Sequence, residues 1–64
     1  MDKVYVVTKI SSGFVESVHR SFLGAADEIR KKHPYADTVW IEDDGVVCID
    51  YCNMYEIEEQ ELLP

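Results

Sequence analysis

Thr38-Val39-Trp40-Ile41-Glu42-Asp43-Asp44-Gly45-Val46-Val47-Cys48-Ile49-Asp50-Tyr51 is the stretch that decides the fold. Two β-branched and aromatic runs flank Asp44-Gly45, and Asp-Gly between such runs is a hairpin signal because a tight primed turn needs positive φ. A two-residue loop there predicts Trp40 opposite Ile49, Glu42 opposite Val47 and Thr38 opposite Tyr51 on one side. Val39, Ile41, Val46 and Cys48 then share the other side. Both faces of this hairpin are substantially apolar, and one helix covers only one face of a small sheet. A second copy of the chain, related by a twofold axis, is the expected cover for the other, so the pattern predicts a homodimer.

Downstream, Met54 to Leu62 reads as a final strand, with Tyr55, Ile57, Glu59 and Glu61 on one parity and Glu56, Glu58, Gln60 and Leu62 on the other. Upstream, Leu23 to about His33 is rich in helix formers. Leu23, Ala26 and Ile29 form its expected apolar stripe, and Asp27, Glu28, Lys31 and Lys32 are left for solvent. Ser21 lies near its start, Arg30, Lys31 and Lys32 complement the dipole at its end, and Pro34 stops it. Lys3 to Ile10 reads as the first strand and Phe14 to Phe22 as the second, joined through Ser11-Ser12-Gly13. Alternation in the second is imperfect, which predicts a bulge or an exposed edge. The order is β-β-α-β-β-β: an α+β fold over residues 1–64, a single small domain with one helix packed on an antiparallel sheet. Repeats and linkers are absent from the sequence.

Charge is distributed unevenly along the chain. Residues 1–36 hold all six basic side chains against four acidic ones, a formal +2, while residues 37–64 carry nine carboxylates and no Lys or Arg, a formal −9. An uninterrupted acidic run is often a solvated tail. Here it is threaded with Val39, Trp40, Ile41, Val46, Val47, Ile49, Tyr51, Tyr55 and Ile57, and therefore reads as folded sheet bearing fixed negative charge. Direct nucleic-acid binding is disfavoured, since the one basic cluster, Arg30-Lys31-Lys32, faces a net charge of −7. No stretch approaches the ~20 apolar residues that span a bilayer, and Met1-Asp2-Lys3 leads into strand-like sequence without a signal-peptide core. A cytoplasmic location with no membrane partner is expected. Cys48 and Cys52, four apart on a strand-like stretch, stand about 13 Å apart if extended, too far for a bridge, so reduced thiols are expected.

Catalytic signals are weak. His33 beside Lys32 and Pro34 reads as a helix C-terminal residue, and Cys48 mid-strand reads as a small buried hydrophobe. Glu42-Asp43-Asp44-Gly45 fails as a calcium loop: aligning Gly45 with the loop glycine puts Trp40 at the first ligand position and Tyr51 where Glu is required. No enzyme activity, metal or cofactor is expected.

The carboxylates suit a different task. Side chains at i and i+2 on a strand stand about 6.7 Å apart, close to two phosphate rises of ~3.4 Å along one DNA strand. Glu56 and Glu58 have that spacing, as do Glu59 and Glu61, though the two pairs fall on opposite parities. The expected partner-binding set is Glu42, Asp43, Asp44, Asp50, Tyr55, Glu56, Glu58, Glu59 and Glu61. Aromatic groups among the charges, Tyr51, Tyr55 and Trp40, are expected to fill apolar pockets on the partner. The ordinary alternative is a face that is acidic only for solubility.

In size, order of elements and the ending Tyr55-Glu56-Ile57-Glu58-Glu59-Gln60-Glu61-Leu62, the chain resembles the small early proteins that tailed bacteriophages make to disable host machinery. Within that group it is similar to acidic DNA mimics such as the uracil-DNA glycosylase inhibitor and the inhibitor of the nucleoid protein HU made by Bacillus phages. The resemblance implies an inhibitor that occupies a basic DNA-binding host protein, either a nucleoid protein or a DNA-repair enzyme. The alternative is an interaction module, or a regulator of a host enzyme, that is not a mimic.

Overall fold

β-branched and aromatic runs become strands here, and the one stretch rich in Ala, Leu, Lys and Arg becomes the helix, as pleated and helical packing respectively favour. The computed structural model describes residues 2–62. It contains β1 (Lys3–Lys9), β2 (Val15–His19), α1 (Phe22–Lys32), β3 (Val39–Ile41), β4 (Val46–Ile49) and β5 (Cys52–Glu61). The five strands form one sheet in the order β2-β1-β5-β4-β3, with each neighbouring pair antiparallel. This is the expected α+β architecture, one helix packed on an antiparallel sheet. No helix among the described residues is long and apolar enough to cross a membrane.

Ser21 caps α1, its hydroxyl accepting the Gly24 N–H at 3.0 Å, and Arg30, Lys31 and Lys32 occupy the last turn. The buried face of the helix is Ala25, Ala26 and Ile29, whereas Leu23 is 73% exposed. The stripe expected from Leu23 is therefore displaced. Phe22, one residue earlier, stands three and seven residues before Ala25 and Ile29 and meets Tyr5 edge-on at 6.0 Å, which leaves Leu23 on the flank. Ala25 and Ile29 pack with Val7, Val47, Ile49, Tyr55 and Ile57 in one core cluster, against which Tyr5, Ala36, Val39, Ile41 and Met54 also lie. β2 is both an edge and bulged, its register shifting opposite Val7 and Thr8.

The hairpin register differs from the expected one by one residue. Val39 pairs with Ile49, Trp40 with Cys48 and Ile41 with Val47. The Glu42 N–H donates to the Val46 carbonyl at 2.9 Å and the Gly45 N–H to the Glu42 carbonyl at 2.9 Å, so the loop is Asp43-Asp44-Gly45, with Gly45 at φ 91°. That is a three-residue loop closing through a left-handed glycine rather than a two-residue primed turn. A one-residue slip moves every side chain to the other face. Val39, Ile41, Val47 and Ile49 now lie together on the helix side, while Trp40, Val46 and Cys48 lie on the open side. The two-sided hairpin from which a second copy was inferred is thus replaced by one aliphatic face and one mixed face.

The tight turn lies six residues later. Ile49 pairs with Cys52, leaving Asp50 and Tyr51 as a two-residue loop with φ of 49° and 69°. Cys48 and Cys52 are both unbridged.

Candidate functional site

The geometry that gathers the acidic residues follows from strand order. β5 lies between β1 and β4, but it outruns β4. Its pairing with β4 stops at Val46 opposite Glu56, whereas its pairing with β1 continues to Lys3 opposite Glu61. The Asp43-Asp44-Gly45 loop closes the end of β4 and docks on β5, where the Ile57 N–H donates to the Gly45 carbonyl at 2.8 Å. A notch of about 240 Å³ remains beside the loop, lined by Asp43, Asp44, Glu56, Glu58 and Glu59 with Tyr5 and Phe22. Acidic residues from two separate stretches of sequence thus border one concavity with an aromatic wall.

The expected residues do not all belong to this surface. Glu42, Asp43, Asp44, Glu56, Glu58, Glu59 and Glu61 are exposed. One Asp44 oxygen accepts the Val46 N–H at 3.1 Å and so helps to shape the loop. Asp50 is exposed but engaged: the same oxygen accepts the Asp37 and Thr38 N–H groups at 2.9 and 3.0 Å, clamping the chain that enters β3. Tyr55 is corrected outright. It is 5% exposed, sits in the core, and its hydroxyl lies 2.8 Å from Nε2 of His33, the helix C-cap. A buried ring with its hydroxyl paired inside the molecule cannot enter a partner's pocket.

The two glutamate pairs are on opposite faces, as their parity requires. Glu56 and Glu58 stand across from Thr8 and Val6 on the open face; Glu59 and Glu61 stand across from Tyr5 and Lys3 on the helix side. Lys3 Nζ lies 2.7 Å from a Glu59 oxygen, and that hydrogen bond and charge hold the lysine's pKa above its ordinary value. Burial pushes the Cys48 thiol up, with the carboxylates of Glu42 and Asp44 adding to the effect.

No family model, curated protein or solved structure matches this chain. Its function must therefore be read from its own surface. On that surface the sequence leaves Tyr5 and Phe22 unmarked: the more apolar parity of the first strand is Val4, Val6, Thr8 and Ile10, yet it is Val7 that enters the core, with Tyr5 packed against it. Trp40 and Tyr51 are 67% and 90% exposed, and with Thr38, Glu42, Cys48 and Asn53 they line a second concavity of about 530 Å³ on the open side. Tyr51 holds its exposed ring on a backbone with φ of 69°, a conformation that costs a bulky L-residue about 1–2 kcal/mol.

Proposed function

We propose that this protein acts by occupancy, as a small acidic DNA mimic that binds and inhibits a basic DNA-binding protein such as a nucleoid protein or a DNA-repair enzyme. The observation that carries the reading is the docking of Gly45 on Ile57, which sets Asp43 and Asp44 beside the stretch of β5 that projects Glu56 and Glu58 to the open face and Glu59 to the helix side. A cluster of fixed carboxylates on a hydrogen-bonded sheet supplies the negative potential such a partner is built to grasp, without the cost of ordering a flexible tail. Only Glu59 of that cluster has a lysine within ion-pair distance among the described residues. The exposed rings of Trp40 and Tyr51 favour a second reading, an interaction module whose affinity is chiefly apolar.

Salt separates the two readings. The protein is titrated against a purified nucleoid protein and a purified uracil-DNA glycosylase at rising salt, with and without duplex DNA. A mimic loses affinity steeply with salt and is displaced by DNA. Binding that is insensitive to salt, or a ternary complex with DNA, refutes mimicry and supports the apolar module.

A further inference from the structure

The sheet's open face carries a pattern that the acidic notch does not explain. Cross-strand pairing sets Val15, Thr8, Glu56 and Val46 in one row across β2, β1, β5 and β4, and Val18, Val6 and Glu58 in the next. Val4 stands beside Gln60, whose amide donates to Glu58, and Cys48 lies between Asn53 and Trp40. The face therefore has an acidic spine on β5 between two apolar flanks, valines on β1 and β2 and Val46, Cys48 and Trp40 on β4 and β3. Val15 and Val18, at 59% and 56% exposure, and Trp40 leave these flanks open to solvent. α1 covers only the opposite face.

From this we infer that the open face is the docking surface for a cationic amphipathic helix of the partner, with arginines or lysines in a row along β5 and apolar residues on either side of that row. The inference rests on the basic-partner reading and names the element of the partner that is bound. Dimensions fit. A helix is about 10–12 Å across, and β1 and β4, two strand spacings apart, are separated by about 9.6 Å, so a helix laid along β5 reaches both flanks. The result is a three-layer helix–sheet–helix arrangement. Charge selects against a second copy of this chain, because a twofold contact across β5 sets Glu56 and Glu58 against their own counterparts.

The test uses a synthetic helical peptide of about 18 residues with an arginine row at i, i+3, i+4 and i+7 between leucine flanks, and a control peptide with glutamate in that row. Amide shifts of the isotope-labelled protein are followed during titration, and the nucleoid protein and glycosylase are assayed in parallel. Expected are saturable shifts at Val4, Val6, Val46, Cys48, Glu56 and Glu58, no binding of the control, and a loss of about tenfold or more with Glu56→Gln/Glu58→Gln. Asp27→Asn/Glu28→Gln, which removes equal charge from the helix surface, is expected to change affinity by less than about twofold. Shifts confined to Asp43, Asp44 and Glu59, or a peptide that fails to bind while the basic proteins bind with salt sensitivity, overturn the open-face inference and leave the mimic reading standing. If neither peptide nor basic protein binds, both fall. A dimer by sedimentation equilibrium whose formation protects Val6 and Trp40 also overturns the inference.

Discussion

A Cβ placed on Gly45 would stand 2.3 Å from the carbonyl oxygen of Ile57. No side chain fits there, and the residue's φ of 91° is in any case one that L-residues rarely adopt. Gly13 offers the control: its φ is 74°, but nothing lies within 4 Å of a Cβ built on it. Gly13→Ala is expected to cost about 1–2 kcal/mol, the left-handed term alone. Gly45→Ala adds the clash and is expected to cost about 2–5 kcal/mol. For a chain this short, with stability of about 3–10 kcal/mol, that approaches unfolding. Urea midpoints by circular dichroism measure both, and equal losses would mean that the loop does not dock on β5.

The Asp50-Tyr51 turn makes the opposite prediction. Tyr51 is so exposed that truncating it removes almost no packing, while its left-handed backbone is one that glycine adopts freely. Tyr51→Gly is expected to stabilise the fold by about 0.5–1 kcal/mol, raising Tm by several degrees. The same variant is expected to weaken partner binding if the ring is an anchor, since strain held at an exposed aromatic is a mark of function. A variant that is less stable than the parent would show that the ring contributes to the fold after all.

These two turns mark the limit of what the sequence made legible. Element order, the Ser21 cap, the basic last turn and the bulged second strand all follow from local chemistry, and local chemistry is what a sequence displays. Asp44-Gly45 correctly announces a hairpin. It does not announce the loop length, because a left-handed glycine serves the two-residue and the three-residue loop alike, and that single residue decides which face Trp40 and Val47 take. The Asp50-Tyr51 turn has no glycine to betray it. The notch was invisible for a different reason: its aromatic wall depends on β1 pairing with β5, a contact between distant parts of the chain that no local pattern displays. Tyr55 was misjudged where parity already gave the answer, since it shares a side with Ile57.

Tyr55 can be tested as a core residue. Tyr55→Phe keeps the ring and removes the hydroxyl paired with His33, and is expected to cost about 1 kcal/mol in a urea titration with partner affinity unchanged. Tyr55→Ala is expected to cost about 3–5 kcal/mol through the cavity it leaves. Weakened binding by a fully folded Tyr55→Phe protein would return the hydroxyl to the contact surface.

Cys48 provides a pH readout of the acidic surroundings. Its thiol is held above the ordinary value by burial and by Glu42 and Asp44, so the folded state binds that proton more tightly than the unfolded chain does. The resulting stabilisation is fully present below the unfolded thiol's pKa and is lost as pH rises through the folded one. At pH 8, Cys48 is expected to alkylate more slowly than the exposed Cys52, and Glu42→Gln is expected to speed it. Peptide mapping after a timed iodoacetamide pulse reads both rates; indistinguishable rates would contradict the assigned environment.

The mimic reading stands or falls on changing Glu56, Glu58, Glu59 and Glu61 together to Gln. All are exposed strand positions, so the exchange removes charge with little change of shape and takes the net charge from −7 to −3. Among the described residues the one ion pair lost, Lys3 with Glu59, is on the surface, and relief of repulsion along β5 works in the opposite direction. The variant is therefore expected to fold normally by circular dichroism. Its affinity for a basic DNA-binding partner is nevertheless expected to collapse, and the slope of log affinity against log salt to flatten with it, since fewer charges are screened and fewer partner counterions are exchanged. A flattened slope distinguishes lost electrostatics from lost shape, which would lower affinity at every salt concentration alike. A folded variant that binds its partner undiminished would show the acidic face to be solvation only.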